Sequence, residues 1–237
     1  MKRDFVIVLV RPRDPNNIGA TARAMANFGL SQLRVVDPYE PTWQSAVSAV
    51  GAHDILQNAQ LCATLPEALD GCTLSLAATA LKNRKLDQDI VALPRLPLWL
   101  TGQNAGQTAL VFGNEKTGLS NADIALCQAV LHIPTTAKQP SVNLAQAVIL
   151  TCYELARTPI PPAGKTADGP TFAEQERVLA ELDALLQAVQ IKTDYSAEQR
   201  KALLRGLLHK SHLSKNDLFF IKTVAEHARQ KIEERPL

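Results

Sequence analysis

The chain has 237 residues, 46% of them hydrophobic, which is enough for a sizeable core and allows one large domain with an appendage. The formal net charge of +2 is too small for a strongly basic nucleic-acid binder, so any basic surface must be local. Four widely spaced cysteines without a C-x-x-C pair argue against a zinc site and favour buried side chains in a reducing compartment. The apolar run after Met1 is too short for a signal peptide, and no stretch is long enough to span a bilayer. We therefore expect a soluble, cytoplasmic protein without a metal or a membrane partner.

The first segments predict a strand, a loop and a helix. Residues 5–10 form a continuous apolar run typical of a strand buried on both faces. A loop interrupted by proline follows at 11–16, and then comes an alanine-rich helix that Gly29 is placed to end. Residues 33–37 predict a second strand, which completes a β-loop-α-β unit.

The same alternation continues to residue 157. The sequence predicts helices at 46–56 and 65–69, strands at 73–79, 108–112 and 130–133, and a long helix over 141–157 with Pro140 just outside its start. Strands alternating with helices indicate a mainly parallel sheet covered by helices. We assign residues 1–157 to this α/β domain.

Composition changes after residue 157. Residues 158–170 are rich in proline and glycine and predict a linker, and residues 171–237 predict a helical extension. Three pairs with capping-box spacing predict three short helices in it: Thr171 with Glu174, Ser196 with Gln199, and Ser214 with Asp217. Residues 192–231 hold nine basic and four acidic side chains, so this part is locally basic.

Three motifs pair glycine with polar residues where apolar runs end, at residues 17–23, 113–119 and 141–145. The first lacks G-x-G-x-x-G, and in the second Leu119 stands where a phosphate-binding loop needs lysine. Kinase, ATPase and dehydrogenase functions are therefore disfavoured. Taken singly, Asn17 or Ser141 could only cap a helix and Arg23 could be a solvated helix residue. Neither Glu115 nor Asn143 has such a simple explanation, because Glu115 lies between two glycines and Asn143 lies in an apolar stretch.

Together the motifs resemble those of the SpoU (TrmH-type) branch of SPOUT RNA 2′-O-methyltransferases. The residues that carry the resemblance are Asn17-x-Gly19-x-x-x-Arg23, Phe112-Gly113-x-Glu115-x-x-Gly118-Leu119 and Ser141-x-Asn143-Leu144-Ala145. Residues 6–23, the segment 51–54 and the helical extension with residues 203–208 look most like the TrmJ subgroup, which modifies tRNA at nucleotide 32 of the anticodon loop. The resemblance implies an α/β SPOUT domain whose C-terminal part, about residues 77–157, forms a trefoil knot. It also implies a homodimer whose active sites draw on both subunits.

The resemblance further implies transfer of a methyl group from S-adenosylmethionine to a ribose 2′-hydroxyl. Backbone groups around the motifs are expected to hold the cofactor: Thr79, Ala80, Leu81, Gly113, Asn114, Gly118, Ile133, Ser141, Val142 and Asn143. Arg23 is expected to face the target ribose, with Asn17 and Glu115 orienting it or its substrate, and Ser141 and Asn143 positioning the ribose or the cofactor. Because a guanidinium stays protonated in proteins, Arg23 suits phosphate anchoring and alkoxide stabilisation better than proton abstraction.

RNA contacts are expected from Arg23 and from a basic run that includes Lys82, Arg84 and Lys85, although such a run can also be a solvated loop. The basic extension could bind tRNA phosphates, form a dimer contact, or do both. Two other functions remain open at this point: the same reaction on ribosomal RNA, and a non-catalytic RNA-binding protein that keeps the fold.

Overall fold

The computed structural model describes residues 4–40, 43–81, 88–103, 106–158, 160, 169–190, 195–211 and 213–234. In these residues the centre of the fold is a seven-stranded sheet in which every paired strand is parallel, in the order β3-β2-β1-β6-β4-β7-β5. The strands are β1 (Asp4–Val10), β2 (Gln32–Val36), β3 (Gln60–Cys62), β4 (Leu74–Ala78), β5 (Asp89–Ala92), β6 (Gln107–Phe112) and β7 (Ala129–His132). All carboxyl ends therefore lie along one edge of the sheet.

Helices connect the strands and continue beyond the sheet. They are α1 (Pro15–Asn27), α2 (His53–Gln57), α3 (Leu65–Leu69), α4 (Leu96–Thr101), α5 (Asn121–Ala125), α6 (Leu144–Arg157), α7 (Phe172–Ala188), α8 (Ala197–Lys210) and α9 (Lys215–Glu233). Short 3₁₀ turns occupy Trp43–Ser45 and Leu93–Arg95.

The two faces of the sheet bury separate apolar cores, because successive side chains of a strand point to opposite faces. In β1, Ile7 and Leu9 join the core that contains α1 and α6, whereas Val6 and Val8 join the core that contains α3 and α5. The prediction of a strand buried on both faces is confirmed. So is the mainly parallel sheet, whereas the trefoil knot stays a prediction.

The predicted helix at 46–56 is wrong over most of its length, since the only α-helix here is α2. Instead, three successive turns run through residues 43–52, in which the backbone amides of Ala46, Ala49 and Ala52 each donate to the carbonyl three residues earlier. These three alanines are buried. A three-residue period of small apolar side chains resembles the helical period, which explains the error.

The helices of the extension begin where the capping boxes predict, and all three caps are formed. The helices are longer than expected, at 17, 14 and 19 residues. Phe172 anchors the first of them: its side chain is buried in the second core, and its amide donates to the Cys72 carbonyl at 2.8 Å. The boundaries of the domain and linker stay a prediction.

Ion pairs reduce the basic character of the extension. Arg205 makes two hydrogen bonds, at 2.7 and 2.8 Å, to the Glu176 carboxylate of α7, and Arg200 pairs with Asp183 of the same helix. The whole extension, residues 171–237, holds eleven basic and ten acidic side chains. The acidic residues of α7 lie before residue 192, so the count over residues 192–231 did not include them. Much of the local excess charge is therefore compensated within the extension.

The four cysteines are free and buried, as expected. Burial raises the pKa of the Cys72 thiol to about 11 and that of Cys127 to about 12, so both are protonated at neutral pH. Within the described ranges, no group of three or more His, Cys, Asp or Glu side chains could hold a metal ion. No described helix is long and apolar enough to cross a membrane.

Candidate active site

The three motifs meet at the carboxyl edge of the sheet. The first follows β1 and forms the start of α1, the second follows β6, and the third precedes α6. Because β1 and β6 are neighbours, with Leu9 paired to Phe112, their ends place the first two motifs side by side. This edge is where parallel α/β proteins bind ligands.

A chain of side-chain hydrogen bonds joins one residue from each motif. Asn17 Nδ2 donates to Glu115 Oε1 at 2.9 Å, and Asn143 Nδ2 donates to Asn17 Oδ1 at 3.2 Å. We call Asn17, Glu115 and Asn143 the polar triad. Its partners are 98 and 126 residues apart in the sequence, and only the fold brings them together.

Glu115 also fixes the loop before α1. Its carboxylate accepts hydrogen bonds from the backbone amides of Arg13 at 3.0 Å and Asp14 at 3.2 Å. Partial burial of the carboxyl group acts to raise its pKa, but the hydrogen bonds from Asn17, Arg13 and Asp14 outweigh burial and hold the pKa below its ordinary value. Glu115 is therefore ionised at neutral pH and accepts three hydrogen bonds.

The simpler helix-capping roles fall to other residues. Asp14, not Asn17, caps α1 by accepting from the Asn16 amide at 2.9 Å. Asn143, not Ser141, caps α6, so this helix begins at Leu144 and the predicted start at 141 is three residues early. Asn143 is exposed, so the burial argument applied to it does not hold.

The cap determines how the Asn143 amide is oriented. Its oxygen accepts from the backbone amides of Ala145 at 3.0 Å and Gln146 at 3.3 Å, which leaves the amide nitrogen directed to Asn17. The first turn of α6 thus sets the orientation of one end of the polar triad.

The loop of the second motif is tightly closed. Asn114 Oδ1 accepts from the amides of Lys116 and Thr117 at 2.9 and 2.8 Å, and the Gly118 amide donates to the Asn114 carbonyl at 2.9 Å. A Cβ atom at Gly113 would lie 2.2 Å from the backbone of Gly118, so only glycine fits there. The loop is built for close approach of backbone atoms.

A cavity of about 310 Å³ lies beside this loop, between the carboxyl ends of β4, β6 and β7 and the start of α6. This volume is at the lower end for small-molecule sites. Eight of the ten predicted cofactor residues line it: Thr79, Ala80, Gly113, Asn114, Gly118, Ile133, Ser141 and Val142. Of the other two, Leu81 packs against the second core, and Asn143 is not in the wall but binds Asn17.

Sequence reasoning missed several wall residues. Lys116 and Thr117 lie inside the second motif, and Pro140 directly precedes the third. Their closeness to the motifs could have predicted that they line the cavity. Glu115 lines the cavity as well, which brings the polar triad to its wall.

A larger groove, of about 1240 Å³, lies between α8 and the opposite edge of the sheet, but it contains none of the motif residues. The smaller cavity is therefore the candidate active site.

Arg23 lies apart from the polar triad. It is exposed on α1, six residues after Asn17 and hence about a third of a turn away around the helix axis. No described residue accepts a hydrogen bond from its guanidinium, and Arg23 does not line the cavity of its own chain. Its catalytic role stays a prediction. Lys82, Arg84 and Lys85 lie outside the described residues.

Comparisons with known proteins identify the family to which the chain is similar. The model of the SpoU rRNA methylase family matches residues 4–153. The chain is 36% identical over 222 residues to LasT of Escherichia coli (strain K12), an uncharacterized tRNA/rRNA methyltransferase, with 87% of this chain and 94% of LasT covered. It is also 36% identical over 206 residues to the tRNA (cytidine/uridine/adenosine-2′-O-)-methyltransferase TrmJ of Pseudomonas aeruginosa (strain UCBPP-PA14), with 85% and 78% covered.

A solved structure shows the same fold. The crystal structure of TrmJ from Z. mobilis ZM4 superposes with a TM-score of 0.82 at 30% sequence identity, over 94% of this chain and 97% of that chain. The match includes the helical extension as well as the sheet, since it covers nearly all of both chains. The resemblance to TrmJ that the motifs indicated is confirmed, and the chain belongs to the SpoU rRNA methylase family.

Proposed function

We propose that this protein transfers a methyl group from S-adenosylmethionine to a ribose 2′-hydroxyl of tRNA. The observation that carries the proposal is the polar triad, which joins all three motifs by hydrogen bonds at the wall of a cavity lined by glycine. The relatives named TrmJ support the choice of tRNA and of the ribose oxygen. The same resemblance points to nucleotide 32 of the anticodon loop.

The cavity residues fit a bound S-adenosylmethionine. Gly113 lets the loop at the cavity wall close against the backbone of Gly118, and Glu115 and Lys116 are the charged side chains among the described wall residues. Glu115 and Lys116 give the wall one charge of each sign, which suits a ligand that carries both signs, as S-adenosylmethionine does. S-adenosylmethionine held there would supply an electrophilic methyl group for transfer from its sulfonium sulfur to the ribose 2′-oxygen. The chain must hold the donor and align that oxygen.

Each member of the polar triad holds the next one in place. Glu115 fixes Asn17 and the loop before α1, and the α6 cap fixes Asn143. An arrangement of this kind needs little reorganisation when substrate binds, which is how preorganised polar sites lower a reaction barrier. We assign Asn17, Glu115, Ser141 and Asn143 to aligning the ribose and the cofactor.

Arg23 is proposed to serve the active site of a partner subunit. Its exposed position outside its own cavity supports this assignment, and so do the exposed apolar side chains of Ile149, Leu150 and Tyr153 on the neighbouring helix α6. Burial of this apolar surface would stabilise a homodimer. There the Arg23 guanidinium would anchor a phosphate and stabilise developing negative charge on the ribose oxygen.

The helical extension is proposed to add tRNA contacts of limited strength. Lys201 and Lys210 are exposed on α8, whereas Arg200 and Arg205 are engaged by α7. Phosphate contacts from such lysines depend on salt and report RNA shape more than sequence. We place the protein in the cytoplasm, where its tRNA substrate is made.

Ribosomal RNA is the second candidate substrate, since LasT is named as a tRNA/rRNA methyltransferase. A non-catalytic role is disfavoured, because the polar triad is intact. The test is methyl transfer from labelled S-adenosylmethionine to separate tRNA and rRNA fractions in the presence of a chelator, with Glu115→Gln as the impaired control. We expect label in tRNA only. Label in rRNA alone would establish the second candidate, and no label in either fraction would refute the proposal.

A further inference from the structure

Two loops lie side by side where β1 and β2 end. The Arg11 amide donates to the Val36 carbonyl at 2.8 Å, and the Tyr39 amide donates to the Pro12 carbonyl at 3.0 Å. Arg11 and Asp37, which follow the two strands, have positive φ angles of 49° and 44° that non-glycine residues rarely adopt. Strained residues of this kind persist only where surrounding contacts hold them, and they cluster at functional sites.

The paired loops carry a stacked cation and aromatic ring. The Arg13 guanidinium carbon lies 4.6 Å from the centroid of the Tyr39 ring, and Tyr39 is 66% exposed. Arg11 is committed elsewhere, since it forms an ion pair with Asp123 at the cap of α5. Arg13 is exposed, and within the described parts of the chain its guanidinium pairs with no carboxylate.

This stack stands directly beside the candidate active site. The Arg13 amide is one of the three donors to Glu115, and Glu115 lines the cavity. A nucleotide whose ribose enters the site would therefore have its neighbours close to Tyr39. The core gains little from an exposed tyrosine, so this ring is available for a partner.

We propose that Tyr39 and Arg13 form a platform on which an unpaired nucleobase adjacent to the methylated nucleotide stacks, while the Arg13 guanidinium also binds a backbone phosphate. Proteins bind single-stranded loops of RNA in this way, with bases on aromatic rings or guanidinium planes. The inference rests on the proposed function, because it assumes an RNA substrate. The new element is the assignment of Tyr39 and Arg13 to contact with the unpaired loop that holds the methylated nucleotide.

The experiment uses the full chain and an unmodified anticodon stem-loop RNA. Tyr39→Ala should weaken RNA binding by about fivefold to a hundredfold, the range that loss of base–aromatic stacking gives. Tyr39→Phe should bind RNA with nearly wild-type affinity, because the aromatic ring remains. Arg13→Ala should lower the slope of log affinity against log salt by about 0.7, as loss of one phosphate contact to a single strand does. The matched control is Arg95→Ala, which removes an exposed arginine beyond β5 and should change binding less.

Two further measurements separate this inference from its alternatives. Affinity for S-adenosylmethionine should be unchanged in the Tyr39 variants, and ultraviolet cross-linking of RNA carrying 5-iodouridine in the loop should label the Tyr39 peptide. Wild-type activity together with unaltered RNA binding by Tyr39→Ala would overturn the platform but leave the proposed function standing. Loss of the dimer in Tyr39→Ala would assign the ring to a contact between copies and also overturn the inference. A wild-type protein that methylates no RNA would instead overturn the proposed function itself.

Discussion

Replacing Glu115 with glutamine tests the polar triad most sharply, because it keeps the side-chain shape and removes charge. The carboxylate accepts three hydrogen bonds, two at Oε1 and one at Oε2. A glutamine that places its oxygen at the Oε1 position keeps the donors Asp14 and Asn17 but turns its NH₂ group toward the Arg13 amide. The opposite orientation loses the two hydrogen bonds that the Asp14 amide and Asn17 Nδ2 donate at the Oε1 position. The variant must therefore give up at least one hydrogen bond to a charged group and leave one amide unpaired.

A hydrogen bond to a charged group contributes about 1.5–3 kcal/mol, and partial exposure of Glu115 reduces this, so we expect the free energy of unfolding to fall by about 1–2 kcal/mol. Urea denaturation measures this loss as a midpoint shift of about 0.5–1 M, given a typical slope of about 2 kcal/mol/M. The rate of methyl transfer should fall by at least about tenfold, because a less ordered site that raises the activation free energy by about 1.4 kcal/mol slows the reaction by that factor.

Glu67→Gln is the matched control. Its carboxylate accepts from the Ala63 amide at 2.7 Å at the start of α3, away from the cavity. Glu67→Gln should lower the free energy of unfolding and leave the rate of methyl transfer unchanged. Equal activity in Glu115→Gln and Glu67→Gln would refute the role of the triad.

The pH dependence has a definite sign: the pKa of Glu115 is depressed in the fold, so its stabilisation is complete at neutral pH and is lost as the pH falls through that pKa.

Three other substitutions separate catalytic, cofactor and structural roles. Gly113→Ala should abolish binding of S-adenosylmethionine in calorimetry and cost about 1–3 kcal/mol of stability, because its Cβ would lie 2.2 Å from the backbone of Gly118; an unchanged affinity would contradict this. Arg23→Ala and Arg23→Lys should both lose methyl transfer with cofactor affinity intact, since a lysine cannot reproduce the planar fork, and normal turnover in either would return Arg23 to a solvated position. Arg205→Gln should lower the melting temperature by leaving Glu176 unpaired while tRNA affinity changes little, and a large loss of affinity at unchanged stability would show that Arg205 contacts RNA directly.

The sequence predicted the centre of the fold better than its margins. Buried parallel strands such as β1 and β6 are continuous apolar runs, which a single sequence reveals. The strands that it missed, β3 and β5, lie at the two edges of the sheet and have only three and four residues. Pairing with a neighbouring strand, rather than local preference, forms such edge strands.

In the site, too, local features could be predicted from the sequence and long-range contacts could not. The motifs locate the cavity because glycine and polar residues at strand ends leave a local signal. The contacts within the polar triad leave none, since Asn17, Glu115 and Asn143 meet only through the fold. The charge count over residues 192–231 is correct, but Asp183 and Glu176, which pair with Arg200 and Arg205, lie on α7 outside that range.

Mapping ribose 2′-O-methylation across all tRNAs and rRNAs, in cells with and without this protein, tests the central claim most directly. We predict that deletion removes methylation at nucleotide 32 of some tRNAs, and that wild-type protein restores it while Glu115→Gln does not. Unchanged tRNA ribose methylation after deletion, or a change confined to rRNA, would contradict it.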